Sequence, residues 1–448
     1  MKRFDKWKEI IVIAAPVVVS KLSFTTMGLV DTAMVGRLGP SEQAAVGIAT
    51  TFMFTLYIFG LGIVGVVNTY VAQYHGAGNP RECGVVLGHG MRLAALLGGI
   101  TWVVLVLSEP LFSMVGLSEE VSGSGYEYLF YRSIGLPGVF FYWAYNGYME
   151  GLGRTRSPMW ISLAANGINI VLDYVFIFGA GPIPEMGVKG AGIATAGSNL
   201  FMLICFAVLV HRPRGEFSRF GTRDIWSPIR RSLLVKMWKT GLPMGIQFFL
   251  EIGSFLAFSI MVGWVSDEAL AANQVALRLM SISFMTAWGI STAATTLVGR
   301  HQGEGRSDLA YEAGVRAVFI ALMCSTVCAA LFVTIPGRLV ELFTASNEVV
   351  GIAQTLLYVV AILQIFDGLR VVSYGALKGA GDTRWPMYMT ISLEWGLGTP
   401  LVYIFTIGAG LGVLGAWLGM LLMLVVESLL MLLRFRRGRW RELRMVRV

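Results

Sequence analysis

Charged residues are scarce in this chain. Asp, Glu, Lys and Arg make up 14% of its 448 residues, whereas an ordinary soluble domain carries about 25%. Hydrophobic residues account for 55% of the chain, and the mean hydropathy is +0.68. So few charged residues cannot provide the water-exposed surface of a soluble protein of this length. The composition therefore excludes an ordinary soluble protein and indicates that lipid is the solvent.

The residues and motifs of most enzymes are also missing. The sequence has four histidines and four scattered cysteines, and it contains no His-Glu-x-x-His, Gly-x-Ser-x-Gly or Asp-Asp-x-x-Asp motif. It also lacks the Gly-x-x-x-x-Gly-Lys-Ser/Thr loop that binds ATP phosphates. We therefore expect neither an enzyme nor a bound cofactor, and we expect an ion gradient as the energy source.

What the sequence does contain is a series of long apolar runs separated by short polar breaks. Each run is long enough for a helix to cross a hydrocarbon core of roughly 30 Å, and none alternates as a barrel strand would. We therefore predict an all-α integral membrane protein with twelve transmembrane helices. Spans 1 to 12 are predicted at 10–37, 43–73, 84–107, 122–147, 158–179, 188–210, 235–263, 269–299, 310–335, 348–375, 386–407 and 412–434.

Basic residues are distributed very unevenly between the two sides of these spans. The side that carries the N-terminus has 26 Lys and Arg residues, and the opposite side has Arg37, Lys189 and Arg338. Cytoplasmic loops are the ones enriched in Lys and Arg. Both termini are thus predicted to be cytoplasmic, and the net charge of +8 is a topology signal that does not call for a nucleic-acid partner.

The two halves of the chain repeat one another. The stretch EGLGRTRSP (150–158) returns as KGAGDTRWP (378–386) at an offset of 228, and Pro16 and Met34-Val-Gly36 return at an offset of 227. Six helices per half make the halves parallel, related by a pseudo-twofold axis along the membrane normal. The predicted domains are an N-terminal six-helix lobe (1–210), a cytoplasmic linker (211–232), a C-terminal six-helix lobe (233–436) and a basic tail (437–448).

Several carboxylic acids lie inside the predicted spans of the first half, where a charge is costly. Asn166, Asn169 and Asp173 form one polar stripe on span 5. Asp31 lies at a similar depth on span 1, and Thr195 on span 6 can add a hydroxyl. These oxygens could hold either a proton or Na⁺, and the sequence does not distinguish the two.

The second half has acids of its own. Glu251 shares a face of span 7 with Gln247, and Asp367 shares a face of span 10 with Tyr374. Glu251 and Asp367 could face one water-filled space. The alternative for every intramembrane acid is pairing with a nearby Lys or Arg, and this is the reading we favour for Glu394 and Glu427, which have no polar stripe beside them. A possible substrate cleft is assigned to Gln247, Tyr374, Gln274, Arg278, Trp143, Phe284 and Trp288.

Four segments together resemble one transporter family. They are APVVVSKLSFTTMGLVDTAMVG, GLPMGIQFFLE, AANQVALRL and FDGLRVVSYGALKGAGDTRWP. They look like the multidrug and toxic compound extrusion (MATE) transporters, with features of the NorM branch, and the resemblance covers essentially the whole chain.

The resemblance implies roles for particular residues. Asp31, Asn169, Asp173 and Thr195 match the ion-coupling set of the N-lobe, with possible Na⁺ binding at Asp31, Asn169 and Asp173. Glu251 and Asp367 match acids for which a C-lobe cation site is proposed. The family also implies a multi-pass protein of the plasma (inner) membrane, which we expect to be a monomer, exporting lipophilic organic cations in exchange for H⁺ or Na⁺ by rocking alternating access.

The closest alternative function is a lipid-linked precursor flippase built on a related two-lobe plan. Such a protein would line its cleft with cations for a pyrophosphate. The cleft candidates here are mostly acids, although Arg278 and Arg370 keep the alternative open.

Overall fold

The structure is a computed structural model that describes residues 3–110, 118–344, 346–443 and 445–446. The described residues are almost entirely helical. The α-helices are α1 Arg3–Val35, α2 Pro40–Val64, α3 Val66–Gly76, α4 Pro80–Val106, α5 Glu119–Ser133, α6 Leu136–Gly151, α7 Arg156–Phe178, α8 Gly187–His211, α9 Arg231–Gly263, α10 Asp267–Gly303, α11 Ser307–Thr334, α12 Pro336–Glu341, α13 Asn347–Ala380, α14 Arg384–Leu393, α15 Thr399–Tyr403 and α16 Gly412–Arg436.

Each predicted span coincides with helical structure, which confirms the predicted class of fold. Nine helices in the described part of the chain are long and apolar enough to cross a membrane, with α2 and α3 counted together. The three other predicted spans differ for local reasons. Span 4 is divided at Ile134–Gly135 between α5 and α6, span 8 is the more polar 37-residue α10, and span 11 is interrupted.

The interruptions of span 11 are two π-helical segments, Glu394–Gly398 and Ile404–Gly408. They flank the five-residue helix α15, so this span consists of four short pieces. A π-helical turn inserts an extra residue into the helix and is frequent at functional sites. Here the first π segment begins at an acid, Glu394, whose side chain is buried.

The chain divides into two compact units. One contains Met1–Val18 and Ile246–Val448, and the other contains Val19–Gly245. Helix α1 therefore begins in one unit and ends in the other, as does α9 in the opposite order. The two changes of unit, at residues 18 and 245, obey the offset of 227, and Pro16 and Pro243 lie two residues before them. The predicted lobe boundaries at 210 and 233 follow the linker instead and remain a prediction.

The first segment of α1 packs into the unit that contains the second half. Ile10, Ile13 and Ala14 belong to a buried apolar cluster with residues of α10, α11, α13 and α16. Lys6 Nζ lies 2.9 Å from Glu312 Oε2, and Arg300 Nη1 lies 3.0 Å from Glu9 Oε1. Apolar burial and two ion pairs thus fix this segment to its unit.

The second glycine of each repeated loop motif has a left-handed backbone conformation. Gly153 and Gly381 have φ of 72° and 93°, a conformation that costs other residues about 1–2 kcal/mol. The first glycines serve close packing. A side chain on Gly151 would collide with the backbone oxygen of Asn68, and one on Gly379 with that of Thr295. Each motif therefore ends one helix and also lets that helix approach a neighbour.

Candidate ion-coupling and substrate sites

In the first half, Asp31 and Thr195 meet in the interior of their unit. Thr195 Oγ1 donates a hydrogen bond to Asp31 Oδ2 at 2.8 Å and also lies 3.0 Å from the backbone oxygen of Ala191. A hydroxyl has one proton to donate but can accept others. It can therefore donate to an ionised Asp31, or accept from a protonated Asp31 and donate to Ala191. The geometry serves both protonation states.

Asn169 and Asp173 complete what we call the first-half cluster, with Asp31 and Thr195. All four side chains are buried, and Asn169 and Asp173 have no exposed surface. As a carboxylate, Asp173 has no hydrogen-bond partner for either oxygen, and Asp31 Oδ1 and the Asn169 amide have none either. A proton on either acid would allow the two carboxyl groups to hydrogen-bond to each other. Buried polar groups without partners are unusual and require a ligand, proton or water.

One residue of the predicted stripe is engaged elsewhere. Asn166 Nδ2 donates to the backbone oxygen of Ser23 at 3.1 Å and lies 3.3 Å from its hydroxyl. This bond joins α7 to α1, whose residues from Val19 onward belong to the same unit. Asn166 therefore holds α7 against α1 through its amide nitrogen, and its Oδ1 has no partner.

A basic group, Arg132, lies beside this cluster, and the sequence indicated it only as one of several cations that could pair with an intramembrane acid. Arg132 Nη1 donates to Thr50 Oγ1 at 2.9 Å and to the Tyr128 hydroxyl at 2.6 Å. The guanidinium is close enough to Asp31 to interact electrostatically, but its hydrogen bonds go to neutral groups. The signal available in the sequence was an arginine within a predicted span. The sequence alone did not show that α5 packs against α2 and α8.

In the second half, acids from three helices converge on Arg370. Its Nη2 lies 2.9 Å from Glu251 Oε1 and 3.0 Å from Asp367 Oδ1, and its Nη1 lies 3.8 Å from Glu427 Oε1. The side chains of Arg370, Asp367 and Glu427 are 7%, 1% and 1% exposed. Glu251, Asp367, Arg370 and Glu427 are named the second-half cluster below.

Further polar groups surround this cluster. Thr390 Oγ1 donates to Glu427 Oε1 at 2.6 Å and accepts from Gln247 Nε2 at 3.3 Å. Asp367 Oδ2, Glu427 Oε2 and Gln247 Oε1 are buried without partners. The structure thus brings together Glu251, Asp367 and Gln247, which the sequence assigned to the second half, and adds Arg370 and Glu427 to them.

A cavity adjoins the second-half cluster. It is small, about 30 Å³, and partly open, and both Arg370 and Glu394 line it. The remaining lining is largely apolar and includes Phe255, Phe258 and three methionines. Glu394 is hydrogen-bonded to Ser254 Oγ at 3.1 Å. Glu394 is the first residue of the π-helical segment, so the acid lines the cavity at the point where the helix contains an extra residue.

The predicted cleft residues fall into separate groups. The ring centroids of Trp288 and Tyr374 lie 6.2 and 6.3 Å from that of Phe248, and the Phe284 ring lies 5.5 Å from Trp288. Gln274 and Arg278 are exposed one turn apart on α10. Trp143 belongs to the other unit, where Lys21 Nζ lies 4.3 Å from its ring centroid. The assignment of these residues to one cleft remains a prediction.

The donor types decide which metal ion suits the first half. No group of three or more His, Cys, Asp or Glu side chains suited to a metal is present in the part of the chain that the structure describes. The first-half cluster offers carboxylate, amide and hydroxyl oxygens, and hard cations are held by oxygen ligands. Asp31, Asn169, Asp173 and Thr195 thus fit a small hard cation such as Na⁺.

Comparison with known proteins gives one consistent answer. The MatE family model matches the chain twice, at residues 16–175 and 243–404. The multidrug resistance protein PmpM of Pseudomonas aeruginosa is 30% identical, covering 98% of this chain and 92% of its own. A probable multidrug resistance protein NorM of Pasteurella multocida is 28% identical, covering 96% and 94%.

Solved structures share the fold. A multidrug resistance MATE transporter of the MOP superfamily, in an outward-facing conformation, matches with a TM-score of 0.89 at 23% identity, covering 98% of this chain and 97% of its own. A MOP superfamily transporter from Pyrococcus furiosus matches with a TM-score of 0.90 at 23% identity, with the same coverage, and is described as having a binding pocket of reversed polarity and a different function. At such identity the likeness shows the fold alone.

Proposed function

The chain belongs to the MatE family of multidrug and toxic compound extrusion transporters, and on this premise we propose that it is a secondary active antiporter that exports lipophilic organic cations in exchange for H⁺ or Na⁺. It is a membrane transporter with the all-helical fold of that family and is not an enzyme. The proposal adds the mode of transport, the class of substrate and the coupling ions.

The observation that carries the proposal is the first-half cluster. Two buried acids lie close together, and three of their four oxygens have no hydrogen-bond partner. Burying an ionised acid without compensation is strongly unfavourable, so the pair requires a proton or a cation. An ion taken up from outside and a substrate cation taken up from inside would compete for the same negative charge. Such competition is the chemical requirement for exchange.

Helix α1 is the element that we propose couples ion binding to the change between outward and inward states. It contains Asp31 in one unit and Ile10 in the other, with Pro16 close to the change of unit. A proline inside a helix removes one backbone hydrogen bond and favours bending. A ligand can shift an outward–inward equilibrium only as far as its affinity differs between the states. We propose that ion binding at Asp31 biases the bend in α1 and thereby the equilibrium.

The remaining features of the proposal concern location. We place the protein in the plasma (inner) membrane as a monomer, with both termini cytoplasmic. The distribution of basic residues supports this orientation. Labelling single-cysteine variants in the linker and in the loop near Lys189 with a membrane-impermeant reagent on intact cells tests it, since only the second should react.

The function is tested by efflux of ethidium from proteoliposomes that contain the purified protein. A pH gradient and a Na⁺ gradient are imposed separately on the parent, Asp31→Asn and Glu251→Gln. We expect efflux driven by one of the gradients and strongly reduced by Asp31→Asn. Absence of efflux under both gradients would contradict the proposal.

The second candidate function is a lipid-linked precursor flippase. One observation in its favour is that a transporter of the same fold is described as having a reversed binding-pocket polarity and a different function. Against it, Arg370 is already paired with acids, so its guanidinium is not available for a pyrophosphate. Failure of ethidium efflux together with transfer of a lipid pyrophosphate across the proteoliposome membrane would favour the flippase.

A further inference from the structure

The acids of the second-half cluster differ from the ligands of a bound cation. Their positive partner is a side chain of the protein itself. Arg370 contacts Glu251 from α9 and Asp367 from its own helix, and it faces Glu427 from α16. Two of its nitrogens donate to Asp367 Oδ1 at 3.0 and 3.3 Å. One oxygen of Glu251 and one of Asp367 are therefore directed at a guanidinium, while Asp367 Oδ2 and Glu427 Oε2 have no hydrogen-bond partner.

The guanidinium cannot be removed by a change in pH, since arginine stays protonated in proteins. Nor is it free to swing into water. Its side chain is 7% exposed, and its stem is held in α13 while its head is hydrogen-bonded to two helices. A metal ion bound between the same carboxylates would lie within a few ångströms of a fixed positive charge, and like charges repel strongly in an interior of low dielectric constant.

The first-half cluster contrasts with this arrangement. The Arg132 guanidinium beside it donates to Thr50 and Tyr128, and three carboxylate oxygens of Asp31 and Asp173 have no hydrogen-bond partner. The two halves descend from one plan, with an offset near 227, but they do not offer a cation the same surroundings.

We propose that Arg370 is a tethered cation that fills the second-half cluster and excludes Na⁺ from it, so that any metal-ion coupling is confined to the first half. The inference rests on the proposed antiport function for its physiological meaning. It disagrees with the C-lobe cation site that the family resemblance implies for Glu251 and Asp367. Arg370 acts on ion selectivity through these acids and is a positioning residue.

The test measures Na⁺ binding by the purified protein rather than transport. Thermal unfolding is recorded in equal concentrations of NaCl and choline chloride, because a ligand that binds the folded state raises its stability. Binding of radioactive Na⁺ gives the affinity directly. The variants are Arg370→Gln, Arg370→Gln with Glu251→Gln, and Glu251→Gln alone. Arg316→Gln is the matched control, since it removes an arginine paired with Glu312 in the same unit.

We expect Arg370→Gln to gain Na⁺ affinity by about tenfold or more over the parent. The added Glu251→Gln change should remove the gain, and Arg316→Gln should show none. A folded Arg370→Gln protein with no gain would overturn the inference. If this variant does not fold, Glu251→Gln alone still decides. It should leave the parent's response to Na⁺ unchanged, and loss of that response would place Na⁺ at Glu251 and overturn the inference.

These outcomes are separable from failure of the proposed function. A protein that exports no organic cation, but gains Na⁺ binding when Arg370 is replaced, would contradict the function and support the inference. A protein that exports ethidium, but loses its Na⁺ binding with Glu251→Gln, would do the reverse.

Discussion

The two halves of this transporter use buried acids in different ways. In the first half, Asp31 and Asp173 lie together with unpaired oxygens, and the neighbouring arginine bonds to neutral groups. In the second half, Arg370 donates hydrogen bonds to two acids and faces a third. Duplication preserved the helices and loops, but the charge balance diverged. Charge pairing with Arg370 is present in the second half, and the unpaired oxygens of the first half are the basis of our proposal that ion exchange takes place there.

Removing Arg370 should have the largest effect on the difference between the two halves. Arg370→Leu leaves three buried acids without their positive partner, and breaking a buried ion pair costs about 3–5 kcal/mol. We expect the unfolding temperature in detergent to fall accordingly. The control Arg316→Leu breaks a pair whose acid is 45% exposed, which is worth about 0–1 kcal/mol. Equal losses in the two variants would mean that Arg370 is not the neutralising group.

The first-half acids should instead affect transport more than stability. Asp173→Asn and Asp31→Asn each remove one member of the pair, and we expect gradient-driven efflux to fall by about 5–150-fold, the usual range of coupling between sites. Because the acids act as one unit, the double variant should be no worse than either single variant. Additive losses in ethidium efflux would show that the two acids act independently.

The sequence indicated Asp31, Asn169, Asp173 and Thr195 through helix faces and family resemblance, and the structure brings them into one interior. It did not indicate that Asn166 bonds to Ser23, or that Tyr128 and Arg132 lie beside the pair. Spacing along a helix determines which residues share a face. It does not determine which neighbouring helix covers that face, and that choice depends on packing between segments far apart in the chain.

A smaller effect is expected from Thr195, whose hydroxyl donates to Asp31. Thr195→Val keeps the shape but removes a hydrogen bond to a charged group, which is worth about 1.5–3 kcal/mol. We expect the Na⁺ or H⁺ dependence of efflux to shift to higher ion concentrations if the bond organises the ion site. Thr195→Ser retains the hydroxyl and should behave like the parent. An equal shift in both variants would show that the packing of the side chain, and not its hydroxyl, is responsible.

The smallest effect is expected in loops that have the same conformation in both halves. Gly78 and Gly305 both have positive φ, near 70°, and a side chain at either would meet nothing within 4 Å. Replacing each by Ala should therefore cost the same backbone strain, about 1–2 kcal/mol. Unequal changes in unfolding temperature between Gly78→Ala and Gly305→Ala would show that the backbone strain differs between the two loops.

The sequence by itself determined the solvent, the helical class, the duplication and the family. The solvent and the helical class follow from composition and short-range periodicity, because in lipid every backbone polar group must be bonded within its own segment. The duplication follows from motifs repeated at an offset near 227, and the family from the resemblance of four segments. The tertiary structure decided that α1 and α9 each divide between two units, and that Glu251 meets Arg370 across 119 positions. A charge inside a membrane requires a partner, but only the packing of distant helices selects which partner is within reach.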